Sequence, residues 1–381
     1  MKKTLSTILL VLVCLSSAYA QMSDAQKAVA EAAKVITAAP KAAEKVEKPN
    51  YWTSSLKTQI NVGQTQLTNW AAGGDNTVSL AAFIDGNANW KKGDMFWNNR
   101  LQLDYGFLYA SSKPLLQKSS DRIYLESKWG YKAPSTQNLY FSANYDFKSQ
   151  FSSGYDYKTP ASLEDAEGNA LEGADLRRAW RDARVFKSNF LAPAYTNLAL
   201  GLDYKPTKWL SVNFAPLTGG FVIVKDAELR KSYSMKEKSG TTAEALAAAE
   251  KALADAQAAG VTADIESATI ALGELYRSAK FEFGAQFKAD IKVNINDNFS
   301  YSTQIVLFAD YLNIAHCPRI NWDNRIDWKL AKYFSLTLTT NLIYDDQILI
   351  KTDKYPDGKM GLVQFKESLA FGFTYTIASK K

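Results

Sequence analysis

From Tyr51 onward, apolar and polar residues alternate with a period of two. The stretch 280–295 is the clearest case. Phe281, Phe283, Ala285, Phe287, Ala289, Ile291, Val293 and Ile295 share one face, and Lys280, Glu282, Gln286, Lys288, Asp290, Lys292 and Asn294 share the other. Successive side chains of a strand point to opposite faces, so this is a long strand with one apolar side. The stretch 319–332 repeats the pattern, with Ile320, Trp322, Ile326 and Trp328 against Asn321, Asp323, Arg325, Asp327 and Lys329. The segment 363–377 does so too, interrupted on its apolar face by Glu367. Similar segments near 52–63, 76–91, 95–110, 121–133, 139–151, 193–205, 209–225, 299–314 and 333–347 bring the expectation to about twelve strands.

Connections alternate in length. Short turns at 91–94, 134–138, 206–208, 296–298 and 331–332 alternate with long loops at 64–75, 111–120, 152–192, 226–279 and 348–362; the short link His316-Cys317-Pro318 breaks the rule. Alternating short and long loops predict an all-β fold, a transmembrane up-and-down antiparallel β-barrel. Aromatic pairs flank the short turns: Trp90 and Trp97, Tyr131 and Tyr140, Tyr204 and Trp209, Trp328 and Phe334. Rings with one wet edge suit a bilayer interface. The structural rival is a soluble barrel with the apolar face inside, but twelve strands enclose a bore too wide for side chains to fill.

Two segments lie outside this rhythm. Residues 240–278 predict a helical hairpin inserted in one surface loop. Thr241-Thr242-Ala243-Glu244 reads as a capping box, Leu246, Ala249, Leu253 and Ala256 follow at helical spacing, and Ile265, Ala268, Leu272 and Leu275 repeat it after Gly260. Its Ala-rich seam packs either on itself or on a partner. At the other end, Lys2 and Lys3, an apolar run from Leu5 to Leu15 and Ala18-Tyr19-Ala20 predict a signal peptide over 1–20, cut before Gln21. Residues 21–50 then predict an Ala/Lys-rich periplasmic helix and tether, either a solvated lead-in or a plug for a barrel mouth. The barrel proper occupies 51–381.

Composition narrows the partners. Lys and Arg number 45 against 39 Asp and Glu, a formal charge of +6; without Lys2 and Lys3 it is 43 against 39, or +4. That gives no electrostatic case for nucleic acid. Mean hydropathy is −0.25. Beyond the leader no apolar run approaches the roughly 18 residues of a transmembrane helix. The expected partner is outer-membrane lipid, with protein partners possible through 240–278 and through 152–192, where Arg177, Arg178, Trp180, Arg181 and Arg184 cluster.

The stretch Asn69-Trp70-Ala71-Ala72-Gly73-Gly74-Asp75-Asn76, between Trp52-Thr53-Ser54 and Ile84-Asp85-Gly86-Asn87-Ala88-Asn89-Trp90, resembles an uncharacterised family of outer-membrane β-barrels from Bacteroidetes-type bacteria, known only as a domain of unknown function. The resemblance runs over most of 50–381. It implies an outer-membrane location and transfers no catalytic residue. Within the motif, Gly73-Gly74 permits a tight turn with positive φ. Asn69, Trp70 and Asn76 flank that turn, and Trp70 either packs under the loop or meets a ligand.

Catalytic chemistry has little to work with. A Ser–His or acid–His barrel enzyme needs a histidine, and the chain has one, His316, beside Cys317. Adjacent side chains of an extended segment point apart, so the two are no dyad. Asp345, Asp346, Asp353 and Asp357 read as solvated loop carboxylates rather than a Ca²⁺ site. No cofactor is expected. The remaining candidate site is the lumen, with Asp85, Arg100, Asp104, Arg122, Glu126, Lys128, Asp146, Lys148, Asp203, Glu282, Lys288, Asp290, Lys292, Asp323, Arg325, Asp327 and Lys329 on the inward face. Either these charges interlock and narrow the bore, or they line a wet channel for small polar solutes. The expected functions are solute passage or, alternatively, non-enzymatic interaction or assembly through the surface loops. Both termini are expected in the periplasm.

Overall fold

The computed structural model describes residues 50–65, 76–316, 318–346 and 361–378. The expected signal peptide and helix, residues 69–75 of the motif, Cys317, Asp353 and Asp357 lie outside the described residues, as does the side chain of His316.

Twelve antiparallel strands close into a barrel: β1 (Trp52–Thr65), β2 (Thr77–Lys92), β3 (Met95–Ala110), β4 (Lys113–Lys132), β5 (Leu139–Ser149), β8 (Ala194–Tyr204), β9 (Leu210–Ile223), β10 (Ala279–Asn294), β11 (Phe299–Asp310), β12 (Arg319–Lys329), β13 (Phe334–Tyr344) and β14 (Gln364–Ala378). Each pairs with its neighbours in sequence, and β14 returns to β1. Closure removes the sheet edges that an open sheet of this size would expose. A separate two-stranded sheet, β6 (Gly154–Tyr157) with β7 (Arg184–Ser188), lies within the loop between β5 and β8.

The sidedness is inverted relative to a water-soluble core. Buried side chains include Gln59, Asp85, Gln102, Asn144, Asp203, Asn213, Gln286 and Lys288. Exposed ones include Leu101, Phe141, Leu198, Leu202, Phe214, Phe221, Phe281, Phe287 and Phe373. An apolar exterior this extensive matches hydrocarbon rather than water. Trp52, Trp97, Trp129, Tyr131, Tyr204, Trp209, Trp328 and Phe334 are exposed near the short-turn end. Tyr140 does not join them. It opposes Asp203 and Lys132, so it points inward, against Phe96 at 5.3 Å, and Phe141 takes the outward position. One polar group sits in the outward column of β12. Asn324 accepts from Tyr301 Oη at 2.8 Å and donates to Thr340 at 3.2 Å, which lowers the cost of an amide facing an apolar medium.

Two sequence expectations need correction. The 111–120 loop is strand. β4 begins at Lys113, and Ser111-Ser112 alone separate it from β3. Pro114 and the adjacent pairs Leu115-Leu116 and Ser119-Ser120 spoil the alternation, and the ladder absorbs them in register shifts after Gly106 and Tyr109. In the hairpin, the helix cap is Thr242 alone, one residue later than the box predicts. Its hydroxyl accepts from Ala245 N at 3.2 Å, while Thr241 donates to Leu275 O.

The long-loop end carries a folded cap. Helix α1 (Gly173–Asp182) buries Trp180 beneath Lys113, leaves Arg177, Arg178 and Arg181 exposed, and Arg184 stacks separately on Tyr155 at 3.9 Å. Helices α2 (Ala227–Arg230), α3 (Ala243–Ala259) and α4 (Thr262–Glu274) follow in the β9–β10 connection, and Gly260 turns α3 into α4 at φ 72°. Val222, Val224, Leu229, Met235, Leu272 and Tyr276 form one apolar cluster, joined by Leu246, Ala249, Leu253, Phe186 and Tyr195. The hairpin therefore packs on itself and on the chain beneath it. Arg230 ties this knot, donating to the carbonyls of Val224, Lys225, Gly273 and Tyr276 and lying 3.2 Å from Glu274. Near it, burial raises the Glu228 carboxyl above its ordinary value, with Glu266 and Asp226 adding to the shift. Arg230→Ala strands those buried carbonyls and is expected to loosen the cap by about 1–3 kcal/mol. Limited proteolysis should then nick 231–262 while the barrel strands stay protected; an unchanged cleavage pattern would remove Arg230 as the tie.

Candidate functional site

Directly opposed residues of antiparallel strands share a face, so the registers define the bore. One row runs Lys57–Asp85–Gln102–Tyr124–Lys148–Tyr195–Val222–Lys280 from β1 to β10. The next, nearer the short turns over β2 to β5, runs Asn87–Arg100–Glu126–Asp146. Both rows carry charges of both signs, and the side chains interlock.

The central contact links distant strands. Lys288 Nζ on β10 lies 2.6 Å from Glu126 Oε1 on β4, and Tyr124 Oη donates to the other Glu126 oxygen at 3.0 Å. Strands β9, β8 and β5 separate this pair in the sheet, so the bond spans the lumen. Around it, Arg100 grips Asp85 with two bonds of 3.0 and 2.7 Å. Arg122 donates to Gln102, and Asp104 accepts from Ser120 at 2.8 Å. Asp290 accepts from Gln304 at 2.6 Å and Asp146 from Asn197 at 2.9 Å. Asp323 accepts from Asn341 at 2.6 Å.

Two further knots flank this centre. On one side Lys128 lies 2.7 Å from Asp203, which is fully buried and also 3.1 Å from Lys205. Lys205 belongs to the short turn after β8; burial pushes its ammonium below the ordinary value, against the opposing pull of Asp203. On the other side Asp327 collects Arg325 at 2.9 Å and Lys57 at 2.9 Å, while Arg325 also donates to Gln59 at 2.7 Å and covers Phe83. Towards the long loops, Glu282 joins Lys280 at 2.9 Å and Arg319 at 2.9 Å.

Open space remains at the short-turn end. A recess of about 610 Å³ is lined by Asn87, Asn89, Asn98, Arg100, Glu126, Lys128, Tyr140, Lys205, Trp209, Asp290 and Lys292. A second, of about 790 Å³, is lined by Lys57, Asn294, Ser300, Asp327, Lys329, Tyr333, Ser335 and Thr374. The first is mainly polar, the second is bounded also by Phe299, Phe334 and Tyr375, and both are large enough for several waters.

Sequence reading passed over several members of this network: Lys57, Gln59, Gln102, Tyr124 and Arg319. Lys57 and Gln59 alternate with Leu56, Thr58 and Ile60, and Arg319 shares parity with Asn321, Asp323 and Arg325, so the period of two carried the signal. The loop motif contributes one described residue, Asn76, whose carbonyl accepts from Ser111 N at 2.9 Å. His316 ends a single 3₁₀ turn, Ile314–His316. Among the described residues no three His, Cys, Asp or Glu side chains converge as metal ligands.

Residues 62–155 match a family described as a protein of unknown function, DUF3078, a span shorter than the resemblance implied. No curated protein matches the chain. Among solved structures, it is similar to the translocator domain of autotransporter NalP from Neisseria meningitidis, at 10% identity over 94% of this chain and 96% of that one, with a TM-score of 0.32. It is similar to the NanC porin at 7% identity over 86% and 99%, with a TM-score of 0.30. It is similar also to outer membrane phospholipase A from Escherichia coli at 7% identity over 87% and 94%, with a TM-score of 0.30.

Proposed function

We propose that this chain is an outer-membrane barrel that passes small polar solutes through a narrow, mixed-charge bore, with the short turns and both termini on the periplasmic side. The observation that carries the reading is the inverted sidedness: an apolar outer wall around a bore rich in Lys, Arg, Asp, Glu, Asn and Gln. Such a bore admits water, and the recesses at the short-turn end reach inward to Arg100, Glu126 and Asp290. The Lys288–Glu126 pair narrows the path between them. Among the described residues it is this side-chain pair that spans the lumen, and small rotamer changes would open it. With both signs represented at each level, ion preference should be weak. His316 and Cys317 are assigned no chemical role.

The test is single-channel conductance of the purified, refolded chain in a planar bilayer, with and without residues 22–48. The expected result is a steady, small conductance with reversal potentials near zero in a salt gradient. Conductance that appears only after removing 22–48 assigns that segment as a plug. Silence from both forms overturns passage and favours a barrel that works through its surface loops.

A further inference from the structure

Two cations of the bore are held without a carboxylate. Lys57, Arg100, Lys128, Lys288, Arg319 and Arg325 each lie within 2.9 Å of a carboxylate oxygen. Among the described residues, Arg122 and Lys148 have none within ion-pair distance. Lys292, Lys329 and Lys366 lack one too, but they are exposed, whereas Arg122 and Lys148 are half-buried.

The two stand side by side. Tyr124 on β4 opposes Lys148 on β5, and Arg122 is the next residue of β4 on that face towards the long loops. Such diagonal neighbours lie about 7–8 Å apart, within reach of long side chains. Arg122 stacks over the Tyr124 ring at 5.5 Å and donates to Gln102, while its Nε is buried without a partner. Lys148 Nζ makes no hydrogen bond to a described residue. The charges that act on it are Arg122, Asp323 and Asp146.

The nearby carboxylates are engaged elsewhere. Asp104 opposes Arg122 in register but accepts from Ser120 at 2.8 Å. Asp146 accepts from Asn197 at 2.9 Å, and Asp323 from Asn341 at 2.6 Å. Neutral donors hold these acids, and two like charges remain adjacent in a place where unpaired charge is costly.

We propose that Arg122 and Lys148 form a binding site for the oxyanion of a small hydrophilic solute, a carboxylate or a phosphate monoester. An oxyanion between them supplies the acceptor that Arg122 Nε lacks and offsets the repulsion of the two cations. A neutral solute does neither. β4 runs from Lys113 at the long-loop end through Arg122 to Glu126, so the site lies on the long-loop side of the Lys288–Glu126 crossing. An anion entering from that side meets the two free cations before the closed pair. The inference deepens the solute-passage reading and rests on a bore that solutes reach.

The test titrates the refolded full chain in detergent by calorimetry with glucuronate, glucose 6-phosphate and glucose, and records bilayer conductance of the same preparation. At least one anion should bind and glucose should not; the tighter anion tells carboxylate from phosphate. Arg122→Gln and Lys148→Met should each weaken binding about ten-fold, the scale of one charge-assisted hydrogen bond. Lys251→Gln, which removes the same charge from the exposed face of α3, should leave binding unchanged. Without ligand, Lys148→Met should move the urea midpoint upwards, opposite in sign to Lys288→Met, because it abandons no carboxylate. A midpoint moved downwards would mean that a carboxylate of the chain already pairs with Lys148, and would overturn the site. Glucose binding as tight as the anions, or anion binding indifferent to both substitutions, would overturn it as well. Anion binding without conductance would keep the site and reject passage; conductance without anion binding would do the reverse.

Discussion

Replacing Lys288 by methionine should lower the stability of the barrel by about 3–5 kcal/mol, the cost of leaving a buried charge without its partner. Lys288 lies 2.6 Å from Glu126, and their side chains are 4% and 13% exposed. Methionine keeps most of the volume, so the loss measures the abandoned Glu126 carboxylate rather than a cavity. The double variant Glu126→Gln, Lys288→Met removes both charges and should recover most of that loss, since a buried pair and an uncharged pair of like size are often nearly equal in energy. Urea unfolding in lipid vesicles, followed by tryptophan fluorescence, reads both. The same double variant should conduct more than the parent, because the contact that spans the lumen is gone. A single variant as stable as the parent would mean that water already screens the pair, and that the bore is wide at this level.

Leu125→Arg tests the outer wall. Leu125 sits mid-strand on β4, facing outward opposite Leu101 and Phe147. In hydrocarbon an arginine near the midplane costs about 2–4 kcal/mol, falling to about 0–1 near the interfaces. The variant should therefore fold into vesicles with a midpoint shifted to lower urea, and Leu101→Arg should behave alike. On the surface of a water-soluble barrel either change would be close to neutral and would improve solubility. Folding in plain buffer without loss would reject the membrane reading outright, whatever the bore does.

These two experiments address different levels of the fold, and the sequence foresees them unequally. The outer wall is visible in the chain itself. Phe281, Phe283, Ala285 and Phe287 recur at every second position, and β10 runs Ala279–Asn294 where the alternation places a strand over 280–295. The turns are visible for the same reason, since short runs of two to five mostly polar residues interrupt the alternation. Where alternation fails, so does the reading: Pro114 and its neighbours hide the first part of β4, which only pairing with β3 holds extended. Tyr140 illustrates a second limit. An aromatic beside a turn looks like a belt residue, but its face depends on parity counted from Asp203, a strand away.

By itself, then, the sequence determines that this is a twelve-stranded β-barrel with one apolar and one charged face. That information is local, because the side-chain period of two is built into every extended strand. Which charges meet is not local. Glu126 and Lys288 stand 162 positions apart, and Lys57 reaches Asp327 across 270. No spacing along the chain encodes those partners; the stagger of the closed sheet sets them, by fixing which residues of non-adjacent strands share a height in the bore. Nor does either strand's own sequence announce that the β1–β14 pairing runs from Ser55/Ala378 to Asn61/Gly372.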